Sequence, residues 1–321
     1  MIRLFEMFAG YGGASWALKK AKIEFESVGF SDIKKSSIKC YQQNFPGVKN
    51  YGDCSKIESN ELPDFDLLTG GFPCQDVSVC GKRDLSIGRT NLYSEILRII
   101  SVKKPKYLLL ENVKGLTTMV TENGLFLHTK IIKDLKKVGY SVIWGLLNSK
   151  DYGTPQNRER IWFVCKLGSW DFMEFQFPIK IPLKLSVSDL LIENRQNREI
   201  KNKRIDSILK HPVINKENLV YELVNDTPSG ISRQADRIYS TKYAPCLNTV
   251  QREYLFYHKG RVIKLEPREC FRLMGFFDDE INLEGLSDNQ IYDLAGDGWD
   301  INVASKIFRN MFKQMKGGEN H

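Results

Sequence analysis

Residues 2–22 read IRLFEMFAGYGGASWALKKAK. A short apolar run, Ile2–Phe8, meets a glycine-rich turn, Ala9-Gly10-Tyr11-Gly12-Gly13, and then an amphipathic stretch, Ala14–Lys22. The run has the length and make-up of a buried strand, and the stretch after it has helical spacing. Glycines between them let the backbone take positive φ and approach a ligand closely. The spacing departs from GxGxxG, so a nicotinamide dinucleotide is not the first expectation.

The same alternation continues. Strands are expected at Ser27–Ser31, Phe65–Thr69, Tyr107–Leu110, Ser141–Leu147 and Ile161–Lys166, with helices at Lys34–Asn44, Leu92–Val102 and Leu125–Val138. Strands alternating with helices imply an α/β fold, a mostly parallel, doubly wound sheet covered on both faces. Ligands in such sheets lie beyond the carboxyl ends of the strands. After Phe177 the texture changes: Pro178, Pro182 and the basic run NRQNREIKNKR (194–204) interrupt the pattern. A second, smaller domain is expected there, followed by an amphipathic helix, Ile301–Met315, that returns to the first. The expected boundaries are 1–178, 179–295 and 296–321.

With 321 residues, 42% of them hydrophobic and 11% aromatic, the chain can bury ordinary globular cores. No apolar run approaches the roughly 20 residues that cross a bilayer, and the N-terminus lacks the pattern of a secretory signal. The seven cysteines are scattered, with no CxxC pair and no nearby histidine cluster. Neither a disulfide framework nor a metal site is expected, and a reducing, cytoplasmic location is. A formal charge of +8 fits a polyanionic partner without identifying one.

Polar residues with chemical potential gather at strand ends. Asp32 follows the second strand, about 20 residues beyond the glycine turn, where an acid can grip ribose hydroxyls. Asp53 follows in Tyr51-Gly52-Asp53. A tight turn with two surface acids is the plainer reading. Cys74 comes after Gly70-Gly71-Phe72-Pro73, past a strand end. A cysteine is commonly a small core residue, yet a core cysteine belongs inside the strand, and a nucleophilic thiolate needs groups that lower its pKa. Glu111-Asn112-Val113 ends another strand, and Gln156-Asn157-Arg158-Glu159-Arg160 precedes a further one. Alone, these read as a capping acid and a solvated charge run. Together they surround a thiol with a carboxyl and two guanidiniums.

The ordered series FAGYGG, GGFPCQ, ENV, QNRER and LEPRECFRLMGF resembles the DNA cytosine-5 methyltransferases of bacterial and phage restriction–modification systems. The resemblance covers the chain except roughly residues 180–232. It implies a Rossmann-like, S-adenosyl-L-methionine (AdoMet)-binding catalytic domain, a DNA-recognition domain, double-stranded DNA as partner and a monomer. It further implies flipping of the target base out of the duplex and a partnership with a cognate restriction endonuclease. Cys74 would attack carbon 6 of cytosine, Glu111 would hydrogen-bond or protonate nitrogen 3, Arg160 would hold the base oxygen, and Arg158 would orient Glu111 or a phosphate. Phe8, Gly10, Tyr11, Gly12, Gly13, Pro73 and Leu92 would line the AdoMet site. Asp32 would take its ribose, Ile33 pack on its adenine, and Asp53 meet the adenine amino group. DNA contacts would come from Gln75, Ser78, Lys82, Arg89, Gln156, Gln234 and Arg237.

Two positions depart from the family. Asp297, in Ala295-Gly296-Asp297-Gly298-Trp299, replaces an asparagine near the AdoMet methionine end and is expected to open the last helix. Cys246 stands where a threonine is usual, and a thiol donates a weaker hydrogen bond than a hydroxyl. Three alternatives stay open: a tRNA cytosine methyltransferase, a DNA-binding relative without catalysis, and a dinucleotide oxidoreductase. Intact Cys74 and Glu111 argue against the second, and the glycine spacing against the third.

Overall fold

The apolar run at the N-terminus forms β1 (Ile2–Met7), buried on both faces, as a central parallel strand must be. A computed structural model of the chain describes residues 1–72, 92–121, 123–170, 175–192, 199–214, 216–223, 236–249 and 253–313. Two compact units emerge. The first comprises Met1–Asn148, Glu159–Ile179 and Ile301–His321, the second Ser149–Arg158 and Lys180–Asp300.

In the first unit, β1 is joined by β2 (Phe25–Ser31), β3 (Leu67–Gly71), β4 (Tyr107–Val113), β5 (Tyr140–Asn148) and β6 (Glu159–Leu167) in a six-stranded sheet of order β2-β1-β3-β4-β6-β5. The β1–β2, β1–β3 and β3–β4 pairs are parallel. Strand β6 runs antiparallel to both β4 and β5, so it alone is reversed. Helices α1 (Gly13–Ala21), α2 (Lys35–Asn44), α3 (Leu92–Lys103) and α4 (Leu127–Lys137) fill the crossovers, and α8 (Ile301–Met311) packs on α1. Its apolar residues Ile301, Ala304, Ile307, Phe308 and Met311 recur at helical spacing and are all buried. The core centres on Phe5, Met7, Leu68, Leu108, Leu110, Ile161 and Phe163.

Because the chain leaves β1 for β2 on one side and crosses to β3 on the other, the strand order reverses between β1 and β3. This is the switch point at which open α/β sheets bind ligands. The glycine turn after β1 and the loop after β3 both arise there. Reversal of β6 brings its own first residues, Glu159 and Arg160, to the carboxyl end of β4.

The second unit holds a four-stranded sheet of order β10-β9-β8-β7, built from β7 (Leu219–Glu222), β8 (Arg237–Ser240), β9 (Leu255–His258) and β10 (Arg261–Lys264). Ile205, Ile208, Ile238, Leu255 and Val262 form a core against it. Helices α5 (Lys203–Ile208), α6 (Pro267–Arg272) and α7 (Asp288–Asp297) complete the unit. Capping boxes begin α6, from Glu266 and Glu269, and α7, from Ser287 and Gln290. The stretch Ala295–Trp299 thus closes α7 instead of opening the last helix, and Asp297 is its final residue. The second unit ends at Asp300, not 295, and includes Ser149–Arg158, which the sequence reading left in the first domain. No helix among the described residues is long and apolar enough to cross a membrane, and none of them form a metal-binding cluster.

Candidate active site

The glycine turn between β1 and α1 is left-handed at three points: Phe8 (φ 53), Gly10 (φ 57) and Gly12 (φ 87). Such a backbone must be held in place. On one side the Asp32 carboxylate accepts from the Gly10 amide at 2.9 Å and the Lys34 amide at 2.8 Å. On the other, the Glu6 carboxylate sits under the first turn of α1, taking the Ala14 amide at 3.1 Å and the Ser15 hydroxyl. Burial pushes both the Asp32 and Glu6 carboxyls above the usual range, against the hydrogen bonds that pull them down. Glu6 escaped the sequence reading. Its signal was a single acid inside the apolar run IRLFEMF, since a buried charge requires partners.

The surface beside this turn is open. Next to Asp32, Ile33 is 74% exposed, an apolar side chain with no protein cover. A Cβ built on Gly10 would meet nothing within 4 Å, and the same holds at Gly52. Asp53 caps a short helical turn, accepting from the Ser55 amide at 3.0 Å and hydroxyl at 2.8 Å on one oxygen, and these bonds lower its pKa. Phe8 and Gly10 keep some accessible surface, and Leu92 is half-buried at the start of α3. Tyr11, Gly12 and Gly13 do not. Tyr11 is 0% exposed, and Gly12 and Gly13 are likewise buried within the turn.

Beyond β3 and β4 lies a second group. Glu111 is buried near the end of β4, paired in register with Gly71 of β3 and Trp162 of β6. Arg160, opposite Val113, places its Nε 2.9 Å from Glu111 Oε1. Lys114 and Glu159, adjacent in sequence to these strand ends, form a more exposed ion pair at 2.8 Å. The Asn112 side chain donates to the Phe72 carbonyl at 2.9 Å, tying the chain that leads to Cys74 onto the strand that carries Glu111. Pro73, Cys74, Gln75, Ser78, Lys82, Arg89 and Gln234 lie outside the described residues.

Four described residues with sequence-based assignments fall in the second unit. Arg158, only 2% exposed, donates to the carbonyls of Leu247 (2.9 Å), Gly296 (3.0 Å) and Gly298 (2.7 Å), with Cys246 Sγ at 3.7 Å. The expectation that it orients Glu111 or a phosphate is therefore corrected: its two terminal nitrogens are spent on backbone oxygens, its buried Nε meets no partner among the described residues, and the guanidinium that pairs with Glu111 is that of Arg160. Gln156 is 0% exposed, donates to the Leu273 carbonyl and accepts from the Leu247 amide, which leaves nothing for a DNA contact. Arg237 pairs with Glu222 at 2.9 Å and stays partly exposed, while Asp297 is exposed. In the basic run, Lys201 pairs with Glu199, and Arg204 with Asp236 and Glu253.

Residues 2–313 match the profile of a family described as C-5 cytosine-specific DNA methylase. The chain is 33% identical to the Type II methyltransferase M.HhaI of Haemophilus parahaemolyticus, covering 97% of this chain and 94% of that one. It is 31% identical to M.Bsp6I of Bacillus sp. (strain RFL6), with 98% and 100% coverage. Among solved structures, the S. pombe Dnmt2 methyltransferase superposes with a TM-score of 0.75 over 98% of this chain and 99% of its own, at 19% identity. At that identity the likeness speaks for the fold.

Proposed function

Since the chain belongs to the C-5 cytosine-specific DNA methylase family and is a methyltransferase of the restriction–modification type, we propose that it methylates carbon 5 of a cytosine flipped out of duplex DNA, with Cys74 as nucleophile. The observation that carries this reading is the Glu111–Arg160 pair, on the strand whose Asn112 grips Phe72, two residues before Cys74. Carbon 5 of cytosine is a weak nucleophile. A Cys74 thiolate adding to carbon 6 forms a carbon–sulfur bond and moves the ring electrons toward carbon 5. Glu111 would stabilise the adduct by hydrogen-bonding or protonating nitrogen 3, and Arg160, whose Nε holds that carboxyl at 2.9 Å, would also take the base oxygen. Loss of the carbon 5 proton then re-forms the ring double bond and expels the sulfur.

The turn after β1 suits AdoMet. The amides that open α1, which a dinucleotide fold offers to a pyrophosphate, are here occupied by Glu6, so the site favours a ligand without phosphates. Asp32, which accepts from the Gly10, Lys34 and Ile33 amides, would still have acceptor capacity for a ribose hydroxyl, and the exposed Ile33 offers an apolar contact for adenine. Asp53 has one oxygen left for an exocyclic amine. When bound there, AdoMet supplies the methyl group that the activated carbon 5 accepts. Arg237 and the second unit would contact DNA, and a cognate endonuclease would cut the same sequence where it is unmethylated.

Bisulfite sequencing of DNA from cells expressing the protein identifies the target. Duplex containing 5-fluorocytosine at that position should then trap a denaturation-resistant complex with the wild type and none with Cys74→Ser. Glu111→Gln, which keeps the shape without the proton, should turn over about two to four orders of magnitude more slowly. Trapping that survives Cys74→Ser would place the nucleophile elsewhere.

A further inference from the structure

Glu6 is 2% exposed, and a carboxylate so buried is costly unless its lone pairs are met. Four donors meet it. The Ala14 amide, the Ser15 amide and the Ser15 hydroxyl belong to the first turn of α1. The fourth comes from another element: the Tyr41 hydroxyl on α2 donates to Glu6 Oε1 at 2.8 Å. Ser27 on β2 lies 2.9 Å from that hydroxyl and, because the phenol proton is committed to Glu6, supplies a proton to it. The Tyr41 ring stacks on Phe30, with centroids 3.9 Å apart and planes at 15°. Its edge also bears on the turn itself, since a Cβ on Gly12 would come within 3.1 Å of it.

The stretch from Asp32 through α2 therefore touches the turn twice. Its entry holds Gly10 through Asp32. Its second half reaches the start of α1 through Tyr41 and Glu6. Resting on the AdoMet reading above, we infer that Tyr41 is a positioning residue for cofactor binding: acting through Glu6, it fixes the start of α1 and the left-handed Gly10–Gly12 backbone against which AdoMet is bound. Removing its hydroxyl leaves a buried carboxyl short of one donor, which that turn must then rearrange to satisfy. The hydroxyl lies beneath the turn, so its loss acts on the cofactor's footing and leaves the Glu111–Arg160 pair untouched.

Calorimetric titration of AdoMet into the wild type, Tyr41→Phe, Glu6→Gln and the double variant tests this. Tyr41→Phe keeps the stack on Phe30 and should weaken AdoMet about tenfold, with duplex DNA affinity and kcat at saturating AdoMet unchanged. Glu6→Gln should weaken it at least as much. The double variant should bind within about twofold of Glu6→Gln alone, because the two residues act as one unit. Ser27→Ala should shift affinity in the same direction by less, and it decides the matter if Tyr41→Phe does not fold. Unchanged affinity in Tyr41→Phe, or effects that multiply in the double variant, would overturn the inference. Failure of the wild type to bind AdoMet would overturn the cofactor reading and this inference together.

Discussion

At the residue scale, the cysteines divide by environment. Burial pushes the Cys40 thiol up to about 12 and, with the neighbouring Glu95 and Asp53 charges, the Cys54 thiol up to about 11. Cys165 and Cys270, enclosed in the two cores, are pushed higher still. Thiolates react and thiols do not, so at neutral pH these four should resist alkylation in the native protein. Iodoacetamide labelling at pH 7.5 followed by peptide mass mapping should leave them unmodified until denaturant is added. Rapid native labelling of Cys40 or Cys54 would contradict their burial. The sequence hinted at this division for Cys165, inside an apolar strand pattern. It was less helpful at QNRER, where five polar residues look alike. In the fold, Arg160 meets a carboxylate while Gln156 and Arg158 are consumed by carbonyls and amides, and a polar run carries no mark of which side chains find backbone partners.

At the scale of elements, the strands and helices of the first unit followed from apolar runs and helical spacing, with ends shifted by at most four residues. The direction of β6 did not. Alternation reports a strand's faces and is silent about its heading, although one clue was available: β5 and β6 are joined by Ser149–Arg158 without an α-helix, too short a link for a parallel crossover. Closing positions of helices were equally hidden, and Gly296 shows why they matter. A Cβ there would lie 2.5 Å from the Asn248 carbonyl carbon and 2.8 Å from the Thr249 nitrogen, both backbone atoms. Gly296→Ala must push that segment away and should destabilise the second unit by about 2 kcal/mol, read as a lowered denaturant midpoint. At Gly10, where φ is 57 and a Cβ meets nothing, Ala costs only the left-handed conformation, about 1 kcal/mol. Equal midpoints for the two variants would refute the close approach at Asn248.

For the whole molecule, the passage between units matters more than either border suggested by composition. The change of texture after Phe177 lies close to the crossing at Ile179, whereas the excursion at Ser149–Arg158 leaves no compositional trace. Asn157 donates to the Ala244 carbonyl and the Ala244 amide to Pro155, so this excursion is stitched into the second unit by backbone as well as by Gln156 and Arg158. A protein engineer wishing to retarget the enzyme by grafting the corresponding unit of a relative therefore faces four junctions, after Asn148, Arg158, Ile179 and Asp300. A chimera that exchanges only 180–300 keeps the host's Arg158 among foreign carbonyls. A buried guanidinium with mismatched partners costs about 3–5 kcal/mol, enough to exhaust much of a domain's stability. Such a graft should be poorly soluble and melt early, while the same graft carrying 149–158 from its own donor should fold, a contrast that a thermal melt of the two chimeras reads directly. The second unit, whose contact with DNA is a proposal, is thus a two-piece cassette, with ten inconspicuous residues travelling alongside the obvious cargo.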